Sequence, residues 1–166
     1  MKKVLLIAFT VFSFTAFAQK FGHIEYSKLV TSMPQYDSAM TTLQAYSKDI
    51  EATITTMQTE LQNAYQDFQA NQNQMTDLIK TTRARAIQDQ EARLNEFYKQ
   101  AQEDVQQQQA KIMQPVLDKA KAAVTEVAKE NKYSYIFDTT SEVLLYKPET
   151  DDILPLVAKK LGVTVK

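Results

Sequence analysis

The sequence predicts an α+β protein in which a long antiparallel helical hairpin is inserted into a small β body formed by both chain ends. Residues 35–114 contain neither Gly nor Pro, the two residues that most often interrupt helices. Apolar residues in this stretch recur at alternating spacings of three and four, which is the pattern of a coiled-coil seam. The flanking segments instead carry short alternating patterns that are typical of strands.

The first arm of the hairpin is predicted from two interleaved seven-residue series. They comprise Met40, Ser47, Ile54, Leu61 and Phe68, and Tyr36, Leu43, Ile50, Met57 and Ala64. The pattern fails at Asn71, where Asn and Gln residues tolerate turn backbone, and Thr76 and Asp77 can start a returning helix. We therefore place the tip at about 71–76.

The second arm continues the same rhythm in the opposite direction. Its seam residues are Ala84, Ile87, Leu94, Tyr98, Ala101, Val105 and Ile112, with the polar Glu91 and Gln108 at two further seam positions. Pro115 lies inside a pattern that continues through Val127, so we expect a kink there and a left-handed stop at Asn131. The arms thus occupy 35–114, and the kinked helix end belongs to the body segment 115–166.

The body is expected to combine the N-terminal segment 19–34 with the C-terminal segment. Residues 21–26 predict a strand, and Ser27 is placed to cap a short helix at 28–33. Further strands are predicted at 133–137, with three aromatic residues on one face, and at 143–146. Pro155 fits the start of a closing helix that Gly162 ends. Three strands leave exposed edges, so we expect oligomerisation.

The N-terminal segment 1–18 has the features of a cleaved secretory signal peptide. A pair of lysines precedes an apolar run that ends in Ala16-Phe17-Ala18, a site for signal peptidase. This run is shorter than the roughly 20 residues that span a bilayer, so we expect cleavage after Ala18 and release into the periplasm. Because 17 basic and 20 acidic residues follow Ala18, no general attraction to nucleic acid is expected.

Residue types that carry catalysis are scarce. His23 is the single histidine and the chain has no cysteine, so no metal cluster, nucleophile pair or cofactor site is predicted. We expect His23 to be structural, at a strand or subunit boundary. Asp151 and Asp152 precede a predicted helix and are expected to complement its positive end. An enzyme is therefore not expected.

Two sets of residues are candidates for binding. Most apolar residues of the arms are expected in the seam, but some lie beside it or near the tip, where they can hold varied partners weakly. These are Tyr65, Met75 and Phe97, and the candidates for client binding also include the seam residues Phe68 and Tyr98. Near the tip, Lys80, Arg83 and Arg85 form a basic cluster, either a solvated helix face or a contact for anionic lipid or an acidic partner.

Several motifs resemble the Skp/OmpH family of periplasmic holdase chaperones. They are Phe21-Gly22-His23-Ile24 and Ser32-Met33-Pro34-Gln35-Tyr36, then Gln114-Pro115-Val116-Leu117, Ala128-Lys129-Glu130-Asn131-Lys132-Tyr133, Ile136-Phe137-Asp138, Leu144-Leu145-Tyr146 and Asp152-Ile153. The resemblance implies a homotrimer whose strands form a barrel-like body, with three hairpins enclosing unfolded outer-membrane proteins without ATP. For the trimer body it implies His23, Ile24, Tyr133, Tyr135, Phe137, Leu144 and Tyr146.

The sequence departs from this family in its charge. Well-known members are strongly basic, whereas this chain is mildly acidic. Attraction to lipopolysaccharide or anionic membranes is therefore not carried over. The family also often has a threonine where Leu154 stands, which weakens a helix cap. The alternative function is a structural coiled-coil scaffold or adaptor of the envelope that docks a folded partner.

Overall fold

The computed structural model describes residues 19–141 and 143–165, so the predicted signal peptide, Glu142 and Lys166 lie outside the described residues. In chain order the elements are β1 (Phe21–Ile24), α1 (Tyr26–Thr31), α2 (Pro34–Asn71), α3 (Asp77–Glu130), β2 (Tyr135–Asp138) and α4 (Leu154–Leu161). Helices α2 and α3 contain 38 and 54 residues and form a hairpin. The short elements gather at its base.

The first arm packs along the predicted seam. All ten predicted seam residues of α2 are partly buried, and between 41 and 70 Tyr46 is the one additional side chain with reduced exposure. On α3, Ile87, Leu94 and Ala101 are buried against them. This confirms the helical hairpin, because an isolated helix of such polar composition would have no reason to bury that stripe.

The predicted place of Tyr98 in the seam is wrong. Tyr98 is 41% exposed, whereas its neighbour Phe97 is partly buried. At this level the Tyr98 hydroxyl accepts a hydrogen bond of 2.6 Å from Gln58 Nε2 on α2. A phenol keeps its polar end at a hydrogen-bonding partner, so the purely apolar Phe97 is the better seam residue.

The connection between the arms is short. After α2 a 3₁₀ turn occupies Gln72–Gln74, and Thr76 caps α3 by accepting a hydrogen bond of 3.4 Å from the Ile79 amide at its side-chain oxygen. Helix α3 then continues without interruption past Pro115.

The end of α3 differs from prediction by one residue. Asn131 has φ −100°, and Lys132, with φ 58°, takes the left-handed conformation instead. The Lys132 and Tyr133 amides donate to the carbonyls of Lys129 and Ala128, which closes the helix end. The Asn131 side chain is occupied elsewhere, because its Nδ2 donates to the Val127 carbonyl at 2.9 Å.

The sheet of the described residues has two parallel strands. Phe21 lies opposite Tyr135 and Ile24 opposite Asp138, and His23 forms an isolated bridge with Asp152. The strand predicted at 143–146 is not formed, since no ladder of backbone hydrogen bonds pairs this segment within the described chain. A strand exists only with a hydrogen-bonded neighbour, and apolar alternation alone does not supply one.

The core lies where the N- and C-terminal segments of the chain pack against the C-terminal part of α3. Ile24, Leu29, Met33, Ile153 and Val157 are fully buried there. They pack against residues of α3 that include Val116, Ala120, Ala123 and Val127. The Ile153 amide donates to the His23 carbonyl at 3.0 Å, and the Thr139 amide to Ile24 at 2.9 Å. Backbone hydrogen bonds thus tie the C-terminal segment to β1.

Gly22 is required by this packing. A Cβ atom at this position would lie 2.9 Å from side-chain atoms of both Ile136 and Tyr133, and 3.1 Å from Ile153. These distances are shorter than van der Waals contact, so a larger residue would push the core apart. The sheet and the C-terminal segment therefore meet at a glycine.

The predicted Ser27 cap of α1 is also wrong. The helix begins earlier, at Tyr26, and is capped from β2, because Asp138 Oδ1 accepts from the Tyr26 amide at 3.2 Å. Thr140 Oγ1 accepts from the Ser27 amide at 3.1 Å. Burial acts to raise the pKa of Asp138, but hydrogen bonds from Thr140 and Tyr26 outweigh it and lower this pKa.

Both ends of helix α4 lie within one residue of the positions that the sequence predicts. Pro155 is its second residue, and Gly162, with φ 67°, ends it. Asp152 Oδ1 accepts a hydrogen bond of 2.8 Å from the Leu154 amide, so the acidic residue complements the helix start as expected.

Candidate binding surfaces

His23 has a structural environment. It is 6% exposed, and its Nε2 lies 2.9 Å from the Pro148 carbonyl, to which it donates. Across 19–141 and 143–165, no group of three or more His, Cys, Asp or Glu residues could hold a metal ion. No helix in these ranges combines the length and apolar composition needed to cross a membrane.

The outer face of the sheet carries an exposed aromatic cluster. Phe21, Tyr135 and Phe137 are 46%, 57% and 43% exposed. The Phe21 ring centroid lies 5.8 Å from that of Tyr135 and 6.2 Å from that of Phe137, and the Tyr135 and Phe137 centroids are 6.5 Å apart. Stacking organises the three rings, but nothing within the described chain covers them.

Not every residue predicted for the trimer body lies on this face. Tyr133 precedes β2 and packs against the core, with Lys20 Nζ 4.0 Å from its ring centroid. Of the three aromatic residues predicted on one face of 133–137, only Tyr135 and Phe137 lie there. Phe21 of β1 is the third ring of the cluster. Ile24 is buried in the core of its own chain.

The segment after β2 extends this apolar area. Val143, Leu145 and Tyr146 are 75%, 103% and 82% exposed. Leu144 and Tyr146 line a hollow of about 180 Å³ together with Phe21, His23 and Phe137. We name the exposed apolar residues at this end the base surface. They are Phe21, Tyr135, Phe137, Val143, Leu145 and Tyr146. Six large apolar side chains exposed at one end of the protein are typical of a protein interface.

The candidate binding residues of the arms, four aromatic residues and Met75, differ in exposure. Phe68, Met75 and Phe97 are partly buried, whereas Tyr65 and Tyr98 are 38% and 41% exposed. The Tyr65 hydroxyl donates to Glu91 Oε1 at 2.6 Å, and this hydrogen bond raises the pKa of Tyr65. Both exposed tyrosines thus bridge the two helices while keeping one ring face in solvent.

Tyr46 makes a third bridge, which the heptad pattern does not indicate. Its hydroxyl donates to Asp104 on α3. The sequence does offer one indication of this bridge. Tyr46 directly precedes Ser47, a small polar seam residue that leaves room for a neighbouring ring. The hairpin is therefore held by phenol contacts on its flanks as well as by its apolar seam.

The tip combines charge with exposed apolar residues. Arg83 lies 3.5 Å from Asp67 across the hairpin, while Lys80 is partly buried and Arg85 exposed. An exposed pair such as Arg83 and Asp67 contributes only about 0–1 kcal/mol. Leu78 and Ile79, which the sequence analysis did not single out, are 78% and 46% exposed beside this cluster. Their exposure could have been predicted from the sequence, because two adjacent apolar residues on a helix cannot both face a single seam.

Gln90 marks a weak point in the seam. Its Oε1 is buried and has no hydrogen-bond partner among the described residues, beside a hollow of about 290 Å³ lined by Met57, Glu60 and Arg93. We expect Gln90→Met, which keeps the side-chain length, to raise the free energy of unfolding by about 1 kcal/mol, because the unpaired oxygen is removed. Urea unfolding followed by circular dichroism measures the change. The exposed Gln88→Met should leave stability unchanged, and an equal gain there would contradict this explanation.

An elongated helical hairpin on a small α/β base, with exposed apolar residues at that base, defines a protein that works by binding or assembly. The chain belongs to the OmpH-like outer membrane protein family, whose sequence model matches residues 20–161. This confirms the resemblance seen in the sequence motifs.

A solved structure shares the fold. It is a protein from Caulobacter crescentus CB15 described as an OmpH-like outer membrane chaperone, with a TM-score of 0.76 and 17% sequence identity. The match covers 86% of this chain and 83% of that chain. At this identity the similarity establishes the common fold. No curated protein matches the chain.

Proposed function

We propose that this protein is an ATP-independent periplasmic holdase that binds unfolded outer-membrane proteins among the arms of a homotrimer and prevents their aggregation. The observation that carries the proposal is a projecting arm with open hollows along its flanks. Helix α2 has 38 residues, so at about 1.5 Å per residue the arm extends roughly 57 Å. Family membership and the description of the structural relative as a chaperone support the same function.

The base surface supports assembly of several chains. A sheet of two strands is at best marginally stable alone, and its neighbouring segment 143–146 has unused backbone groups and exposed apolar side chains. Pairing with the same region of other copies would give these backbone groups hydrogen-bond partners and would cover these side chains. The trimeric number follows from the family resemblance.

Weak, distributed contacts suit a protein that must later release its client. The arm hollows lie on the surface and are lined by Ile, Leu, Tyr and Gln side chains. Several shallow sites on each of three arms give a long-lived complex through multivalency, although each contact is weak. Chain export by the predicted signal peptide would place the protein where such clients pass.

A second candidate function is that of a scaffold whose arm tips dock a folded partner. Leu78 and Ile79 favour this alternative, because they are exposed at the tip beside basic residues. A partner recovered by crosslinking at fixed stoichiometry from the tip would support it.

Light scattering tests the holdase function directly. A urea-unfolded outer-membrane barrel protein is diluted into buffer with increasing amounts of the chain from Gln19 to Lys166. We expect scattering to fall and saturate near three chains per client, because one trimer would enclose one client. An unrelated coiled-coil protein of similar length serves as the control. Undiminished aggregation would contradict the holdase function and favour the scaffold.

A further inference from the structure

The hairpin has two sides, which its hollows identify. Ile50 and Ala101 line one hollow of about 360 Å³ and another of about 420 Å³. The first is completed by Ile54, Tyr98, Gln102, Val105 and Gln106, and the second by Tyr46, Phe97, Gln100 and Asp104. Since the same two seam residues contribute to both, the hollows flank one layer of the seam from opposite directions.

The first side continues toward the tip. A further hollow of about 400 Å³ is lined by Leu61, Tyr65 and Leu94 together with Gln58, Gln62, Gln66 and Gln69. The hydrogen bond from Gln58 to Tyr98 joins this hollow to the first one. We name the continuous area formed by these two hollows the Tyr65 side and the opposite area the Tyr46 side.

The two sides differ in charge. None of the residues lining the two hollows of the Tyr65 side is charged, and six of them are glutamines. The neighbouring Glu91 carboxylate is engaged by the Tyr65 hydroxyl. On the Tyr46 side, by contrast, Arg93 lies one helical turn before Phe97 and lines the next hollow together with Glu60. Asp104 also lines this side, and its carboxylate is engaged by the Tyr46 hydroxyl. An apolar segment laid on that side would desolvate these charges at a cost that the Tyr65 side does not impose.

We infer that each arm binds its client through the Tyr65 side alone, and that the bound element is an extended, uncharged client segment of transmembrane-strand length. This inference rests on the proposed function. From Ile50 to Gln69 the side spans about 29 Å of helix at 1.5 Å per residue. An extended chain covers that distance in roughly 9 residues, the length of a transmembrane β-strand.

The side chains match such a segment chemically. Glutamine amides both donate and accept hydrogen bonds, so they can pair with the free backbone N–H and C=O groups of an extended chain. Ile54, Leu61 and Tyr98 offer apolar contacts for one face of an alternating strand. Exposed charged segments of the same client gain nothing from this surface.

Site-specific photocrosslinking tests the sidedness. A photoreactive phenylalanine derivative is placed at Gln102 in one variant and at Gln100 in another, both exposed on α3 and only two positions apart. Each full-length mature variant is mixed with the urea-unfolded barrel protein and irradiated. We expect several-fold more crosslinked client from position 102 than from position 100.

The outcomes separate this inference from the proposed function. Equal yields from both positions, or a higher yield from position 100, with aggregation still suppressed, would overturn the sidedness and leave the holdase function intact. Loss of suppression by the unmodified chain would contradict the holdase function itself and this inference with it. As an independent measurement, Gln102→Lys should weaken client affinity several-fold while Gln100→Lys leaves it unchanged. Equal effects would again overturn the inference.

Discussion

Replacing Tyr135 with Arg is expected to convert the oligomer proposed above into single chains in solution. Tyr135 is 57% exposed and stacks on Phe21 and Phe137, so it is part of the base surface. A guanidinium placed there would lie unpaired in an apolar interface, at a cost of several kcal/mol. Because Tyr135 contributes nothing to the buried core, each chain should still fold. Molar mass from light scattering after size exclusion measures the effect.

The matched control for this substitution lies on the arm. Tyr98→Arg also changes an exposed tyrosine, 41% accessible, but far from the base surface along α3, so the oligomeric mass should be retained. Circular dichroism should show unchanged helix content in both variants. If Tyr135→Arg keeps the mass of the parent protein, the base surface is not the site of assembly.

Replacing Ile153 with Ala is expected to cause the largest loss of folding stability. Ile153 is fully buried, and its side chain packs closely against Gly22 of the sheet. A Cβ atom at Gly22 would lie only 3.1 Å from it. Removing three methyl or methylene groups leaves a cavity in a small core, which costs about 2–5 kcal/mol. Urea unfolding of the base, followed by tyrosine fluorescence at fixed protein concentration, measures the shift.

Leu156 provides the control for Ile153. It also belongs to α4 but is 44% exposed, so Leu156→Ala should cost well under half as much. Similar shifts for the two variants would mean that the core does not centre on Ile153.

The arms could be predicted from the sequence because their structure is set by local periodicity. Each seam position of α2 follows from a heptad that is complete within a few residues of chain. The error at Tyr98 has a different origin. Phe97 and Tyr98 both fit the stripe, and the choice depends on Gln58, which is 40 residues away in sequence.

The body could be predicted only in outline, because its details depend on distant residues. The cap of α1 comes from Asp138, 112 residues after the amide that it accepts from. The segment 143–146 has the pattern of a strand, but whether it forms one depends on a neighbour that a single sequence does not specify. At the end of α3, Asn131 bonds its side chain to Val127 and Lys132 takes the left-handed conformation, a choice between adjacent residues that the sequence pattern does not resolve.

The sequence predicted which kinds of residue on the arms could bind a client, but not how their side chains are arranged in space. Tyr65 and Tyr98 were selected as adaptable aromatic residues, yet the structure shows their hydroxyls bridging the helices. The grouping of uncharged glutamines around them is not visible in the sequence, because these residues are spread over both arms. It emerges only when the two helices are placed side by side.

The cap of α1 by Asp138 and Thr140 also bears on the order in which the elements of the chain can fold. Strand β1 and helix α1 precede both arms in the chain, whereas the residues that cap α1 follow the arms. The arms need only neighbouring turns and each other, so they can form while the base is still incomplete. A chain that stopped at Glu130 would therefore keep both arms but lack β2 and α4, so the base can close only after the segment that follows α3 has been made.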